Sequence, residues 1–265
     1  ITHDSRAVIP GDNYVAVPGF TRHGIEFAEQ AIAAGAVAIA TDAAGCVTAR
    51  ELGVTAIELV DVRRDMAHLA AEVYGHPERD LHIVGVTGTN GKTTITHVMR
   101  AIGQSHGKSI GVIGTVGVFI NDEVLPQSRT TPESTDLYAL LSIMKQRGVE
   151  FVFMEVSSHA VVLHRVEGLV FDVALFTNLT QDHLDFHSTM AEYFAAKAQI
   201  FGPGRARHAV ICVDDEWGTK LATNSAIPQV TVGAGGQWQV DVRHDSSFAG
   251  CSFTGHSTAG DSVTA

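Results

Sequence analysis

A chain of 265 residues with 45% hydrophobic and 18% charged side chains has the make-up of a protein that buries a core, as one large domain or two smaller ones. Its formal net charge of −11 argues against a nucleic-acid groove or an anionic membrane surface as main partner, so any phosphate must be held by local charges, backbone N–H groups or metal ions. Cys46, Cys212 and Cys251 are few, odd in number and far apart, which argues against a disulfide framework or zinc ribbon and for a reducing compartment.

Residues 1–80 mix strands and helices. After the turn PGDN, YVAV reads as a short strand. IEFAEQAIAAG carries Ile25, Ala28 and Ile32 at helical spacing, and Gly35 stops it. AVAIA and TAIELV read as strands. RRDMAHLAAEVY reads as a helix that ends in GHPERD, where Gly75 and Pro77 punctuate. This stretch is the expected boundary between a domain of residues 1–80 and one of residues 81–265.

Beyond it, strand and helix alternate. HIVGV is a buried strand over 82–86, KTTITHVMRAIGQSH a helix with Gly107 after it, and SIGVIG another strand. VGVFINDEVL predicts a hairpin around Asn121 and Asp122. PESTDLYALLSIMKQRG predicts a helix with Pro132 in its first turn and Gly148 at its end. EFVFMEVS and FDVALFTN are strands apolar enough to lie inside a sheet covered on both faces. The alternation predicts an α/β fold with a doubly wound, mainly parallel sheet. From about residue 228, QVTVG, WQVDVR and CSFTG read as short strands. The chain starts on ITHDSR without a Met or a signal peptide and stops at GDSVTA without a closing helix, so it is expected to be a fragment. No apolar run approaches the ~18 residues of a membrane span.

Residues 85–99, GVTGTNGKTTITHVM, resemble a phosphate-binding loop with one departure: Val86 stands where the standard spacing asks for its first glycine. The surroundings suit phosphate, because a strand runs into a Gly-rich turn and a helix follows, whose N–H groups and dipole favour an anion. Gly88 and Gly91 tolerate positive φ, Lys92 can reach β and γ phosphates, and Thr93 can put a hydroxyl on Mg²⁺. The bland alternative is a strand-turn-helix with solvated Lys and Thr. In this context nucleotide binding is the preferred reading.

Glu155 ends the apolar strand FVFME, and ligands of open α/β sheets collect outside strand C-termini. A carboxylate there can hold Mg²⁺ directly or through water; the alternative is a half-exposed loop acid. FTNLTQDHLDFHSTM packs Asp182, His183, Asp185 and His187 into six residues. The spacing of His183 and His187 could suit zinc, but Leu184 and Phe186 intervene, no cysteine is near, and one His with carboxylates around Mg²⁺ fits a nucleotide site better. A polar capping loop remains the alternative. In TMAEYFAAKAQIF a capping box of Thr189 and Glu192 starts a helix on which Met190, Phe194, Lys197 and Phe201 share one face. A lysine in an apolar stripe either snorkels, with its charge in water, or shifts towards the neutral amine, which can take up CO₂ to form a metal-binding carbamate.

Together TGTNGKTT, TTPES, MEVSSHA, HR, FTNLTQDHLDFH and EYFAAKAQIF, in that order, resemble the Mur ligases of peptidoglycan synthesis, most nearly the MurE type. DSR, PGDNYVAVPG, HG and AIAAGAVAIA resemble its uridine-binding domain, so the likeness covers nearly the whole chain. The resemblance implies a small N-terminal α/β uridine-binding domain and a P-loop ATPase domain. It implies a cytoplasmic, monomeric enzyme, independent of nucleic acid and membrane. ATP phosphorylates the terminal carboxylate of UDP-MurNAc-L-Ala-D-Glu, and the amine of a diamino acid, diaminopimelate before L-lysine, attacks the acyl phosphate.

By motif, the resemblance assigns Gly88, Thr89, Asn90, Gly91, Lys92, Thr93 and Thr94 to the ATP phosphates. It assigns Thr93 and Glu155 to one Mg²⁺, and His183 and a carbamylated Lys197 to a second. Lys92, Glu155, His183 and Lys197 form its catalytic set. Thr130, Thr131, Ser157 and Arg165 would contact the UDP-MurNAc-dipeptide, and Ser5, Phe20, Thr21 and Arg22 the uridine end. Arg129 and Leu163 depart from the Asn and Gln common in the family. Family members continue into a third domain that binds the incoming amino acid, so the 265 residues alone are expected not to ligate. The rival readings are another Mur or folylpolyglutamate synthase-like ligase, and a non-catalytic nucleotide-binding module.

Overall fold

A computed structural model describes residues 1–264 apart from 126–128, 183–185 and 245–250. The first elements are β1 (Asn13–Val15), α1 (Ala28–Ala33), β2 (Ala38–Thr41), α2 (Ala43–Glu51), β3 (Thr55–Glu58) and α3 (Val62–Val73). Next come β4 (His82–Thr87), α4 (Lys92–Ser105), β5 (Ile110–Gly114), β6 (Gly117–Ile120), β7 (Glu123–Leu125), α5 (Ser134–Gln146), β8 (Phe151–Glu155) and α6 (Ser158–Val162). The chain closes with β9 (Phe171–Phe176), α7 (Met190–Ala198), β10 (Ala206–Cys212), α8 (Glu216–Asn224), β11 (Gln229–Val232), β12 (Trp238–His244), β13 (Cys251–Ser257) and β14 (Ser262–Thr264). Among the described residues no helix is long and apolar enough to cross a membrane.

Two compact units form. The first comprises residues 1–81, 131–148 and 162–169; the second comprises 82–130, 149–161 and 170–265. In the first, β1, β2 and β3 make a parallel sheet in that order, with Tyr14 opposite Ile39 and Ile39 opposite Ala56. The strand period of two sends Tyr14 and Ile39 into one core with Ala28, Ala31 and Ala49. Val15 and Ala40 go to the other face with Val62 and Met66 of α3. Helix α3 also packs on α5.

Three local differences from the expected elements have plain causes. The helix expected over IEFAEQAIAAG begins with a 3₁₀ turn, Gly24–Phe27, because His23 Nδ1 accepts from Ile25 N while Glu26 accepts from His23 N. Helix α2, unread in the sequence, starts where Asp42 Oδ1 accepts from Gly45 N at 2.8 Å, a cap that offsets the weak helix formers behind it. Pro132 lies ahead of α5 rather than in its first turn, since Glu133 takes the N-cap position.

The second unit holds an 11-stranded sheet in the order β14-β13-β12-β11-β10-β9-β4-β8-β5-β6-β7. Strands β11, β10, β9, β4, β8 and β5 run parallel, flanked by antiparallel hairpins at both ends. The β6–β7 hairpin turns at Asn121, at φ 53°, whose Oδ1 accepts from Ile110 N and Ser109 Oγ, both at 3.0 Å. Val84, Ile110, Val112, Phe119 and Phe153 form one apolar core of this sheet. Strand β10 and helix α8 occupy sequence for which no element had been expected. β4 sits between β8 and β9, so the C-terminal ends of these three strands open a crevice at the switch point of the sheet.

Candidate functional site

Strand β4 runs one residue further than its apolar run, to Thr87, whose Oγ1 donates to Val156 O at 2.8 Å and whose O accepts from Thr177 N. The turn is therefore Gly88 to Gly91, and Gly91 at φ 86° caps α4. Gly88 stands at φ 144°, and a Cβ there would collide with Thr177 Oγ1 and press on Asn178 backbone. That close approach is why the turn needs glycine. The exit of β9 binds the turn down: Thr89 N donates to Asn178 O, Asn90 N to Asn178 Oδ1, and Thr177 Oγ1 to Asn90 O at 2.7 Å.

Lys92 folds back on this turn, its Nζ donating to Gly88 O at 2.9 Å and Thr89 O at 2.8 Å. Burial lowers its pKa, against the opposing charges of Glu155 and Asp182. Lys197 Nζ donates to the same Gly88 O at 2.8 Å and lies 4.6 Å over the Tyr193 ring. The side chain is 1% exposed, so it does not snorkel. Burial, then the charge of Lys92, lowers its pKa to about 7, with Asp182 opposing. The buried face of α7 carries Tyr193, Ala196 and Lys197, whereas Met190 and Phe194 are only half-buried, so the stripe is rotated from the one expected. Thr189 caps α7 as expected, but Glu192 bonds Ser188 N rather than Thr189 N.

Glu155, the last residue of β8 and 1% exposed, accepts from Thr93 Oγ1 and from Thr115 N, both at 2.9 Å, through Oε1. Its Oε2 accepts from Thr115 Oγ1 at 3.1 Å, and that hydroxyl lies 3.0 Å from Thr130 Oγ1. A side chain at Gly114 would strike the Glu155 carboxylate. A cavity of about 310 Å³ is lined by residues Thr89 to Thr94, Thr115, Thr130, Glu155, Ser157, Ser158 and Lys197. A carboxylate fixed by donors beside a threonine hydroxyl offers the hard oxygens that Mg²⁺ takes. Among the described residues no group of three His, Cys, Asp or Glu gathers to hold an ion.

The second unit thus brings together the expected Gly88 to Thr94 run, Glu155, Lys197, Thr130 and Ser157. His183 and Asp185 lie outside the described residues. His187 is buried and bonds Ser158 Oγ, at 2.8 Å. The other expected substrate residues belong to the first unit. Ser5 Oγ is buried and donates to Gln30 Oε1, while Phe20 is 84% exposed. Thr21 is exposed, and the Arg22 guanidinium pairs with Glu26 at 2.7 Å. Arg165 is buried, with Nη2 2.8 Å from Glu133 Oε1 and Nη1 donating to Thr131 O at 3.3 Å. Arg63 approaches the other Glu133 oxygen at 3.5 Å. Thr115, Gly114 and Glu133 escaped sequence reasoning. The only sequence signal for Thr115 was a polar residue directly after an apolar strand.

A glycine turn between the central strand and its helix, with a lysine, a threonine and a neighbouring strand-end carboxylate at the switch point, defines a P-loop-type α/β protein. Residues 86–262 match the Mur ligase middle domain and residues 1–74 the Mur ligase family catalytic domain. The chain belongs to the Mur ligase family. It is 51% identical over 250 residues to the UDP-N-acetylmuramoyl-L-alanyl-D-glutamate–2,6-diaminopimelate ligase of Streptomyces coelicolor, covering 94% of this chain and 49% of that protein. It is 50% identical over 243 residues to the ligase of that name from Streptomyces avermitilis, covering 92% and 48%. A solved structure of a ligase of this name superposes with a TM-score of 0.81 at 29% identity, over 99% of this chain and 54% of that one. The chain spans about half the length of the relatives it matches.

Proposed function

We propose that this chain supplies the nucleotide- and UDP-substrate-binding part of an ATP-dependent ligase. That ligase joins diaminopimelate to UDP-MurNAc-L-Ala-D-Glu in cytoplasmic peptidoglycan synthesis. The observation that carries the reading is the gathering of Lys92, Lys197, Thr93 and Glu155 around one cavity at the switch point of the sheet. The names of the relatives support diaminopimelate over lysine.

In this reading the N–H groups that begin α4 and Lys92 bind the ATP phosphates, the lysine exchanging loop carbonyls for phosphate oxygens. Thr93 and Glu155 would hold one Mg²⁺, and His183 with Lys197 a second, and such ions would supply neutralisation of phosphate charge. Thr115 keeps the Glu155 carboxylate aimed by bonding both of its oxygens. The neutral Lys197 amine adds to CO₂ and releases a proton, leaving a carbamate with an oxygen donor for metal. Arg165, fixed by Glu133, offers its guanidinium to an anionic group of the UDP-substrate. Thr131 of the first unit, and Thr130 and Ser157 of the second, are its other proposed contacts. Ser5, Phe20, Thr21 and Arg22 serve its uridine end.

Calorimetric titration with Mg²⁺-ATP and with UDP-MurNAc-L-Ala-D-Glu tests the reading. Both should bind, Lys92→Ala should abolish the first, and UDP alone should bind, unlike in a folate ligase. Phosphate release with diaminopimelate should be absent for these 265 residues; full turnover would sink the view that the other half of the relatives' length is needed. A carbon-13 carbamate signal from labelled bicarbonate, lost in Lys197→Met, tests the lysine chemistry.

A further inference from the structure

Ser158 and His187 have no part in the scheme above, yet both are buried and both belong to the second unit. Ser158 follows Glu155 by three residues and contributes to the wall of the same cavity. Its Oγ lies 2.8 Å from His187 Nε2. The imidazole is packed among rings: Phe186 at 4.9 Å, His159 at 5.9 Å and Tyr193 at 5.1 Å between centroids. Tyr193 in turn presents its ring to Lys197. The pair is therefore held in one arrangement by packing, and two buried polar groups meet each other's hydrogen-bonding need.

The rest of the wall decides the direction of that bond. Lys92 and the backbone N–H groups that begin α4 suit the cavity to an anion, and the Glu155 carboxylate in the same wall is already bonded by Thr93 and Thr115. A serine serves an anion only by donating its proton, and its oxygen is then left to accept from the imidazole N–H. We propose that the Ser158 hydroxyl is a further ligand for a phosphate oxygen in this cavity, and that His187 is a positioning residue that aims it through Nε2–H. The proposal rests on the cavity being the nucleotide site.

The test is calorimetric binding of a non-hydrolysable Mg²⁺-ATP analogue to the 265-residue chain, with urea midpoints measured alongside. Ser158→Ala should weaken binding about tenfold or more, the size of a lost hydrogen bond to a charged group, and lower the midpoint modestly, because the buried His187 loses this partner. His187→Leu should weaken binding by a similar factor, and the double variant no further. Ser158→Thr and His187→Gln, which retain a hydroxyl and an N–H donor, should recover most of the affinity. Parental affinity in Ser158→Ala, with binding lost in Lys92→Ala, would overturn the proposal and leave the nucleotide site standing. A parent chain that binds no nucleotide, or Lys92→Ala binding as the parent does, would overturn both. Additive losses in the double variant would overturn the positioning role of His187.

Discussion

Replacing Lys197 with methionine should stabilise the protein, by an amount that shrinks as pH rises. In the folded state burial and the neighbouring Lys92 charge bring this ammonium from 10.5 to about 7. Below pH 7 both folded and unfolded chains hold the proton, and the folded state bears the whole penalty of the buried charge. Between about 7 and 10.5 the folded state has released its proton while the unfolded chain keeps it, so stability climbs with pH. A shift of that size corresponds to roughly 5 kcal/mol. Methionine forgoes the bond to Gly88 O and the contact with the Tyr193 ring, together worth about 1–3 kcal/mol. Lys197→Met should therefore exceed the parent by about 2–4 kcal/mol near pH 6, narrowing by roughly 1.4 kcal/mol per pH unit above 7. The assay is urea unfolding of both chains from about pH 6 to 9.5, with chelator present and CO₂ excluded. A gap that does not move with pH, or a variant weaker than the parent throughout, would refute the reasoning.

Gly88→Ala should cost about 1–3 kcal/mol in urea unfolding or displace the turn and abolish nucleotide binding, because φ 144° and the approach of Thr177 leave no room for a methyl group. Glu133→Gln should lose about 3 kcal/mol by leaving the buried Arg165 charge with a neutral partner, and adding Arg165→Met should recover part of it. An unaltered urea midpoint in Glu133→Gln would show the pair to be dispensable. Thr115→Val should weaken Mg²⁺-nucleotide binding several-fold, as roughly 1 kcal/mol of carboxylate orientation is lost, with little change in unfolding.

Residues whose role follows from their own neighbourhood were readable in advance. The turn at Gly88 and Gly91 announces itself because a strand precedes it and a helix follows. Glu155 stands out because it ends an apolar run, and Lys197 because it interrupts an apolar face. Their gathering at one edge follows from the parallel sheet, whose order places β8 and β9 beside β4. The polar contacts that fix these groups were hidden, since Thr115 meets Glu155 across 40 residues and His187 meets Ser158 across 29. Nothing local marks either partner. The buried face of α7 was misjudged by part of a turn because spacing alone gave Phe194 the place that Tyr193 occupies. Helix α2 was missed because Gly45 and Thr48 dilute its pattern, while the cap that starts it is a single aspartate.

The first unit draws on three separate stretches of chain, 1–81, 131–148 and 162–169. During synthesis, then, the emergence of its parallel sheet does not complete it. Helix α3 must wait for α5, whose first residue leaves the ribosome about fifty residues after Leu81. Its apolar flank meanwhile stays open to water, to chaperones and to neighbouring nascent chains. A gene cut at the end of the first stretch would strand that flank permanently. Producing this unit by itself therefore means deleting the second unit's insertions and rejoining the three stretches, because no single end point along the chain encloses them.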